Sequence, residues 1–329
     1  MDRWKEAFRV TIYPRLHLTL LAMHVAEYRT NGGIGFSIAA PVCNVSICEG
    51  PTIAIEDTRS RALSGEERNR LILILENERR SNRFASGISL SISGDMWAHF
   101  GYGSGTAITL AALESLHRIN GSSPLPAGLI SASGRGGTSG IGIRTYFSGG
   151  CIFDLGRPVD GRSFAPSHKV EGGSAPLVLD HLDMPMWDVG ICVPFTIASK
   201  THAEEEAFFA RACPVPANEV YKTLYHVLFG LYASIRESDW TTFCSALRMV
   251  HEGYWKKTEQ AEYGKQLSDI EQSLYYCGAA AVCMSSLGPC LFFLANDVSE
   301  VVRRMQSARG DCDYLLTRPV NHGRMIQDD

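Results

Sequence analysis

The sequence predicts an α+β chain folded as two domains. Three observations carry that prediction: strand-like alternation near the start, a succession of strand, glycine loop and helix around residue 100, and strands interleaved with helices in the second half. With 329 residues, 45% of them hydrophobic and 20% charged, the chain has enough apolar material for two cores.

The elements follow in order. Arg9 to Tyr13 and Leu16 to Leu21 read as strands. Ser64 to Arg80 reads as a helix, because Leu71, Ile72 and Leu75 share one side and Ser64 with Glu67 makes a capping box. Ile88, Leu90 and Ile92 alternate with Ser89, Ser91 and Ser93, the period of a strand. The loop Phe100-Gly101-Tyr102-Gly103-Ser104-Gly105-Thr106 comes next, followed by a helix from Ala107 to Ile119 that Asn120-Gly121 closes. A junction is expected around Asp180 to Met186, separating a domain of residues 1–180 from one of residues 181–329. Beyond it lie a strand at Val189 to Val193 and helices near Ala203 to Ala210, Glu219 to Arg236 and Gln260 to Tyr275. Strands at Ala281 to Ser285, Leu291 to Ala295 and Tyr314 to Thr317, with a helix from Ser299 to Met305, complete a ferredoxin-like layer.

Charge and composition exclude some classes of function. The net charge of -4 and the absence of a basic cluster argue against a nucleic-acid partner. None of the ten cysteines forms a C-x-x-C pair and most sit in apolar stretches, so they read as buried thiols in a reducing compartment. Phe8 to Ile12 alternates like a strand instead of forming a signal-peptide core, and no apolar run has membrane length. A cytoplasmic protein without a membrane partner is expected.

Four loops could hold chemistry. Gly101 to Gly105 can turn backbone N–H groups inward at a helix start, a ready anion site, with Ser104 and Thr106 as added donors. It is not a P-loop, since no Lys-Ser or Lys-Thr follows its last glycine. Ser133 to Gly142 packs five glycines around Arg135, Thr138 and Ser139, and Arg135 is its only cation, suited to a phosphate or carboxylate. Asn31-Gly32-Gly33-Ile34-Gly35, after Arg29, and Ser285-Ser286-Leu287-Gly288-Pro289 are the other two. Taken alone, the first, third and fourth are equally explained as tight turns. His17 and His99 are the histidines nearest these motifs, and each reads equally as a structural residue. Lys200-Thr201-His202 precedes Glu204-Glu205-Glu206, where Thr201 and Glu204 make a second capping box.

The order of Pro14-Arg15-Leu16-His17, Asn31 to Gly35, the Gly101 to Thr106 loop, Gly134 to Gly142 and Ser285 to Pro289 resembles the β-ribofuranosylaminobenzene 5'-phosphate synthase family over nearly the whole chain. The resemblance implies a two-domain GHMP-kinase-like fold, with a ribosomal-protein-S5-domain-2-like first domain and a ferredoxin-like second. It implies a decarboxylating C-ribosyltransferase that joins 5-phosphoribosyl 1-pyrophosphate to 4-aminobenzoate, releasing CO2 and pyrophosphate with Mg2+ as cofactor. Relatives act likewise on heteroaromatic carboxylates such as pyrazoles, in C-nucleoside rather than methanopterin synthesis. The implied substrate-binding residues are Arg15, His17, Arg29, Asn31, Gly32, Gly33, His99, Gly101, Gly103, Ser104, Gly105, Thr106, Arg135, Gly136, Gly137, Thr138, Ser139, Lys200, Thr201, Ser285 and Ser286, with Glu204 and Glu205 as metal ligands. The pattern leaves room for a homodimer.

Two other readings stand beside this one. An ATP-dependent GHMP kinase often carries an aspartate shortly after its Ser-Gly pair, whereas Ser139-Gly140-Ile141 here runs into Gly142. A non-catalytic binding protein of the same fold would bind ligand without turnover. The acceptor end departs from the family pattern at Leu18 to His24, where an aspartate is usual, and at Leu155-Gly156-Arg157, where a Gly-Gly-His-like run is usual.

Overall fold

The computed structural model describes residues 7–98, 100–135, 138–166 and 176–328. Five strands open the chain: β1 (Phe8–Ile12), β2 (Arg15–Ala22), β3 (Arg29–Ser37), β4 (Cys43–Gly50) and β5 (Ala54–Asp57). Helix α1 (Gly65–Ser81), strand β6 (Gly87–Gly94) and helices α2 (Ser104–Ile119), α3 (Pro126–Ser133) and α4 (Ile141–Ser148) follow. Then come strands β7 (Cys151–Asp154), β8 (Arg157–Pro158), β9 (Val178–Leu182) and β10 (Val189–Pro194). Helix α5 (His202–Ala212) leads to α6 (Ala217–Tyr225), which passes through a π-helical segment (His226–Tyr232) into α7 (Ala233–Glu237). Helices α8 (Trp240–His251), α9 (Tyr254–Ala261) and α10 (Gly264–Tyr276) precede β11 (Ala281–Met284), β12 (Leu291–Leu294), α11 (Val298–Ala308), β13 (Cys312–Thr317) and β14 (Met325–Asp328).

These strands form three sheets. The first runs β14-β1-β4-β6-β5, the second β2-β3-β7-β9 with β8 beside β3, and the third β11-β12-β10-β13. All pairs are antiparallel except β5 with β6. One core joins the halves: Phe36 of β3 meets Phe292 of β12 edge to face, 6.0 Å between ring centres. The chain is thus an α+β protein with helices against one mixed and two antiparallel sheets.

Both expected capping boxes are present, Ser64 with Glu67 and Thr201 with Glu204. Strand β9 pairs with β7 and ends at Leu182, and the passage to the third sheet comes at residues 183–188. Asn31 to Gly35 is strand, not turn. Glycines there answer close approach: a Cβ on Gly32 would stand 2.4 Å from the Asp154 carbonyl oxygen, and one on Gly35 2.4 Å from that of Leu16. Helix α8 went unforeseen because Thr241, Thr242, Phe243 and Cys244 are weak helix formers; Asp239 caps it by accepting from the Thr242 N–H. All ten cysteines are free thiols, and no helix among the described residues is long and apolar enough to cross a membrane.

Candidate active site

Strand alternation puts Arg15 and His17 on one face of β2, and a register slip between His17 and Thr19 brings Leu20 onto the same cleft. The glycine loop crosses over this face. Its Gly101 carbonyl oxygen accepts from Arg15 Nη1 and from Ser285 Oγ, each at 2.7 Å. Gly101 (φ +83) leaves no room for a side chain, since a Cβ would lie 2.2 Å from the Ser285 carbonyl oxygen. Gly103, at φ +73, is the N-cap of α2 and offers no side chain to the first-turn N–H groups. Those donors face the cleft through Ser104, Gly105 and Thr106, the arrangement that binds anions at helix starts.

Described residues of the second glycine-rich loop also line the cleft. Arg135, Thr138, Ser139, Gly142 and Ile143 line the cleft, with Arg135 Nη2 3.7 Å from where a Gly105 Cβ would stand. Burial lowers both guanidinium groups, Arg15 and Arg135, to about 10; Arg70 lowers Arg135 further, while Glu205 opposes the fall at both. They remain cations at neutral pH, desolvated and ready for an anionic ligand. The loop itself hangs on Asp154, whose two oxygens accept from the Gly140 N–H at 2.5 Å and the Gly156 N–H at 2.7 Å.

Burial pushes the Asp154 carboxyl up to about 6, against the pull of those donors. A carboxyl that ionises higher folded than unfolded holds an extra native proton between the two values, so its contribution to stability falls as pH rises from about 4 to about 6, by roughly 3 kcal/mol in all. Thermal melts across that range should show the wild type losing ground against Asp154→Asn as pH rises. A difference independent of pH would refute the assignment.

The second half of the chain supplies the remaining walls. His202, Glu205 and Phe209 recur at helical spacing on α5 and all face the cleft, and Leu287 joins them from the turn between β11 and β12. That turn is stitched to β2: the His17 N–H donates to Ser285 Oγ at 3.1 Å, and the Ser286 N–H donates to the His17 carbonyl oxygen at 3.0 Å. Beneath it, Lys256 on α9 is buried with its Nζ donating to Glu259 and to the Met284 carbonyl oxygen at 2.6 Å. Glu259, which also accepts from Trp255 Nε1 at 2.9 Å, reaches the cleft wall.

The whole encloses about 200 Å³, with a cationic, loop-built end and an apolar end of Leu20, Phe209 and Leu287. Of the residues singled out in the sequence, Arg15, His17, Gly101, Gly103, Ser104, Gly105, Thr106, Arg135, Thr138, Ser139 and Ser286 meet there, with Glu205. Gly33 packs beneath, where a Cβ would be 3.0 Å from His17 Nε2. Ser285 holds backbone, as does Arg29, which donates to the Leu155 and Gly156 carbonyl oxygens at 3.2 and 2.6 Å. Asn31 and Gly32 lie along β3, away from the cleft lining. Lys200 stands 3.5 Å from Glu262 and faces the Tyr263 ring, while Thr201 and Glu204 cap α5. His99, Gly136 and Gly137 fall outside the described residues. Phe209, Lys256, Glu259 and Asp154 were not foreseen as site residues; only the 202, 205, 209 spacing could have marked Phe209.

Comparison with known proteins places this geometry. The family described as GHMP kinases C terminal matches residues 231–311. Along nearly its whole length, the chain is 28% identical to a β-ribofuranosylphenol 5'-phosphate synthase of Archaeoglobus fulgidus, covering 95% of this chain and 97% of that protein. The synthase of the same name from Methanothermobacter thermautotrophicus is also 28% identical, over 95% and 96%. The chain is thus similar, end to end, to the β-ribofuranosylphenol 5'-phosphate synthases. Solved structures agree on the fold: a homoserine kinase of Cytophaga hutchinsonii superposes with a TM-score of 0.66 at 13% identity, covering 99% of each chain. A mevalonate kinase of L. major gives 0.65 at 13%, over 98% of this chain and all of that one. At such identities these kinases speak for architecture alone. The chain therefore combines a kinase-like architecture with a sequence similar along nearly its whole length to these synthases.

Proposed function

We propose that this chain joins 5-phosphoribosyl 1-pyrophosphate to an aromatic carboxylate, forming a carbon–carbon bond at the carboxylate-bearing ring position and releasing CO2 and pyrophosphate. The observation that carries the reading is the two-ended cleft: helix-start N–H groups with Arg15 and Arg135 at one end, Leu20, Phe209 and Leu287 at the other. The first end suits a leaving pyrophosphate, whose developing charge such donors stabilise. The second suits a flat ring.

As C1' loses pyrophosphate it becomes oxocarbenium-like, and an electron-rich ring carbon attacks it. Loss of CO2 then restores aromaticity. Orientation does much of the work in such a step. The relatives' product is named as a phenol, so 4-hydroxybenzoate stands first among acceptors, ahead of 4-aminobenzoate and of heteroaromatic acids.

The carboxylate of Glu205 beside the phosphate-binding end fits Mg2+, which commonly takes one or two carboxylates and completes its shell with phosphate oxygens and water. When bound there, Mg2+ would neutralise charge on the leaving pyrophosphate. Glu204 is held by the Thr201 cap and is the weaker of the two ligand candidates.

The test is direct: protein, phosphoribosyl pyrophosphate, Mg2+ and each acid are incubated, and pyrophosphate, CO2 and the C-riboside are measured. Equimolar release of the three supports the reading. ADP formation with a phosphorylated acceptor, when ATP replaces the donor, would establish a kinase instead. Within this reading Arg135→Ala should weaken donor binding by about 1.5–3 kcal/mol, the worth of a charge-assisted hydrogen bond. Titration calorimetry with phosphoribosyl pyrophosphate reads it, and unchanged affinity would remove Arg135 from the donor site.

A further inference from the structure

The proposed reaction makes a demand that the anion-binding groups do not meet. A para amino group donates its lone pair into the ring as it stands, but a para hydroxyl activates the ring strongly only as its proton leaves. A phenolic acceptor therefore calls for a proton acceptor at the side of the ring away from the ribosyl centre.

We infer that His17 is that group, the general base for a hydroxyl-bearing acceptor. This rests on the ribosyl-transfer reading above. Three features of β2 and its surroundings assign the role. Arg15, His17 and Leu20 line the cleft in that order along one strand, so the imidazole stands between the anion-binding end and the apolar wall. The side chain is buried, 4% exposed, and its Nδ1 has no hydrogen-bond partner, although buried ring nitrogens are ordinarily satisfied. Its backbone is pinned on both sides by the Ser285–Ser286 turn and its ring lies against Gly33 through Nε2, so the imidazole is held in place while its Nδ1 is left without a protein partner.

The charges around the ring suit the role. Burial, then Arg15, then Lys256 hold the imidazole well below its ordinary value and therefore neutral, able to accept. Glu259 partners Lys256, and Glu67, Arg135, His202 and Glu205 are the other charged or titratable groups lining the cleft. An anionic donor bound beside Arg15 offsets that cation and raises the basicity of the imidazole in the ternary complex.

The step balances. The hydroxyl proton passes to His17 as the ring carbon forms its bond to C1' and pyrophosphate leaves with the C1'–O electron pair. The carbon–carboxylate bond then breaks, CO2 departs and its electron pair restores the aromatic ring as a phenoxide, which takes the proton back from His17. No external oxidant or acid is consumed.

The experiment compares 4-hydroxybenzoate with 3,5-difluoro-4-hydroxybenzoate, whose hydroxyl is already ionised near neutral pH. In His17→Asn, kcat/KM for the parent acid should fall about 10²–10⁴-fold, the usual share of general-base catalysis, and fall at least ~10-fold less for the difluoro acid. The variant's rate with the parent acid should climb with pH as the phenol ionises. Binding of inorganic pyrophosphate by His17→Asn, read by calorimetry, establishes that the variant is folded with its anion site intact. Equal losses with both acids in that folded variant overturn the assignment of His17 alone. No C-riboside from either acid with the wild type overturns the functional reading, and this inference with it.

Discussion

Gly103→Val is expected to abolish binding of phosphoribosyl pyrophosphate while the protein still folds. Two independent effects converge on this position. Its backbone sits at φ +73, where a β-branched residue is strained by about 1–3 kcal/mol. A Cβ would also stand 3.0 Å from Arg15 Nε and 3.1 Å from its Cγ, so the arginine must shift and its hydrogen bond to Gly101 must weaken. The substitution thus disturbs the helix-start donors and the neighbouring cation together. Ser104→Ala removes only one hydroxyl and should cost about 0.5–1.5 kcal/mol of donor affinity, so the two variants separate backbone from side-chain recognition. Calorimetric titration of each, with thermal melts as a control for folding, decides the matter. Should folded Gly103→Val bind the donor as the wild type does, the loop is a structural turn and nothing more.

Lys256→Met should be the most destabilising single change in the second half of the chain. It leaves Glu259 buried without its cation, and removes the donor to the Met284 carbonyl oxygen. Breaking a buried pair from one side costs about 3–5 kcal/mol, a large part of the 5–15 kcal/mol by which typical domains are stable. Removing the second charge as well, in Lys256→Met with Glu259→Met, should recover much of the loss, because the desolvation of both ions is then avoided. Urea denaturation of the single and double variants measures this. A double variant no more stable than Lys256→Met would show that the amine's bonds to the turn, not the ion pair, carry the effect. Because Lys256 helps to keep His17 neutral, the same single change should also shift the acid limb of the pH–rate profile upward.

Local rules made much of this molecule readable in its sequence, and the exceptions have physical causes. Ser64 with Glu67 and Thr201 with Glu204 announce helix starts because a cap needs only residues three apart. Gly101, Gly103 and Gly105 likewise announce a tight, donor-lined turn before α2. Asn31-Gly32-Gly33 misleads by the same logic: glycines that suggest a turn are here a strand thinned to let His17 and the Asp154–Gly156 backbone come near. Lys256 and Glu259 look like an ordinary solvated pair one helical turn apart, and only the packing of α9 beneath the β11–β12 turn buries them. Asp154 is one carboxylate among many in sequence; its bonds to Gly140 and Gly156 require the second sheet to exist first. What escapes a linear reading is whatever depends on distant segments meeting.

The place of β14 at the edge of the first sheet bears on how the protein is made. β1 is flanked by β4 on one side and by β14 on the other, yet β14 lies far downstream, after β13. On the ribosome, β1 therefore waits with one row of N–H and C=O groups uncovered while the rest of the chain emerges, and an uncovered strand edge can pair with another nascent chain. Ribosome-bound intermediates halted before residue 325 should accordingly be the aggregation-prone species in overexpression, and supplying the missing strand as a free peptide should keep them in solution.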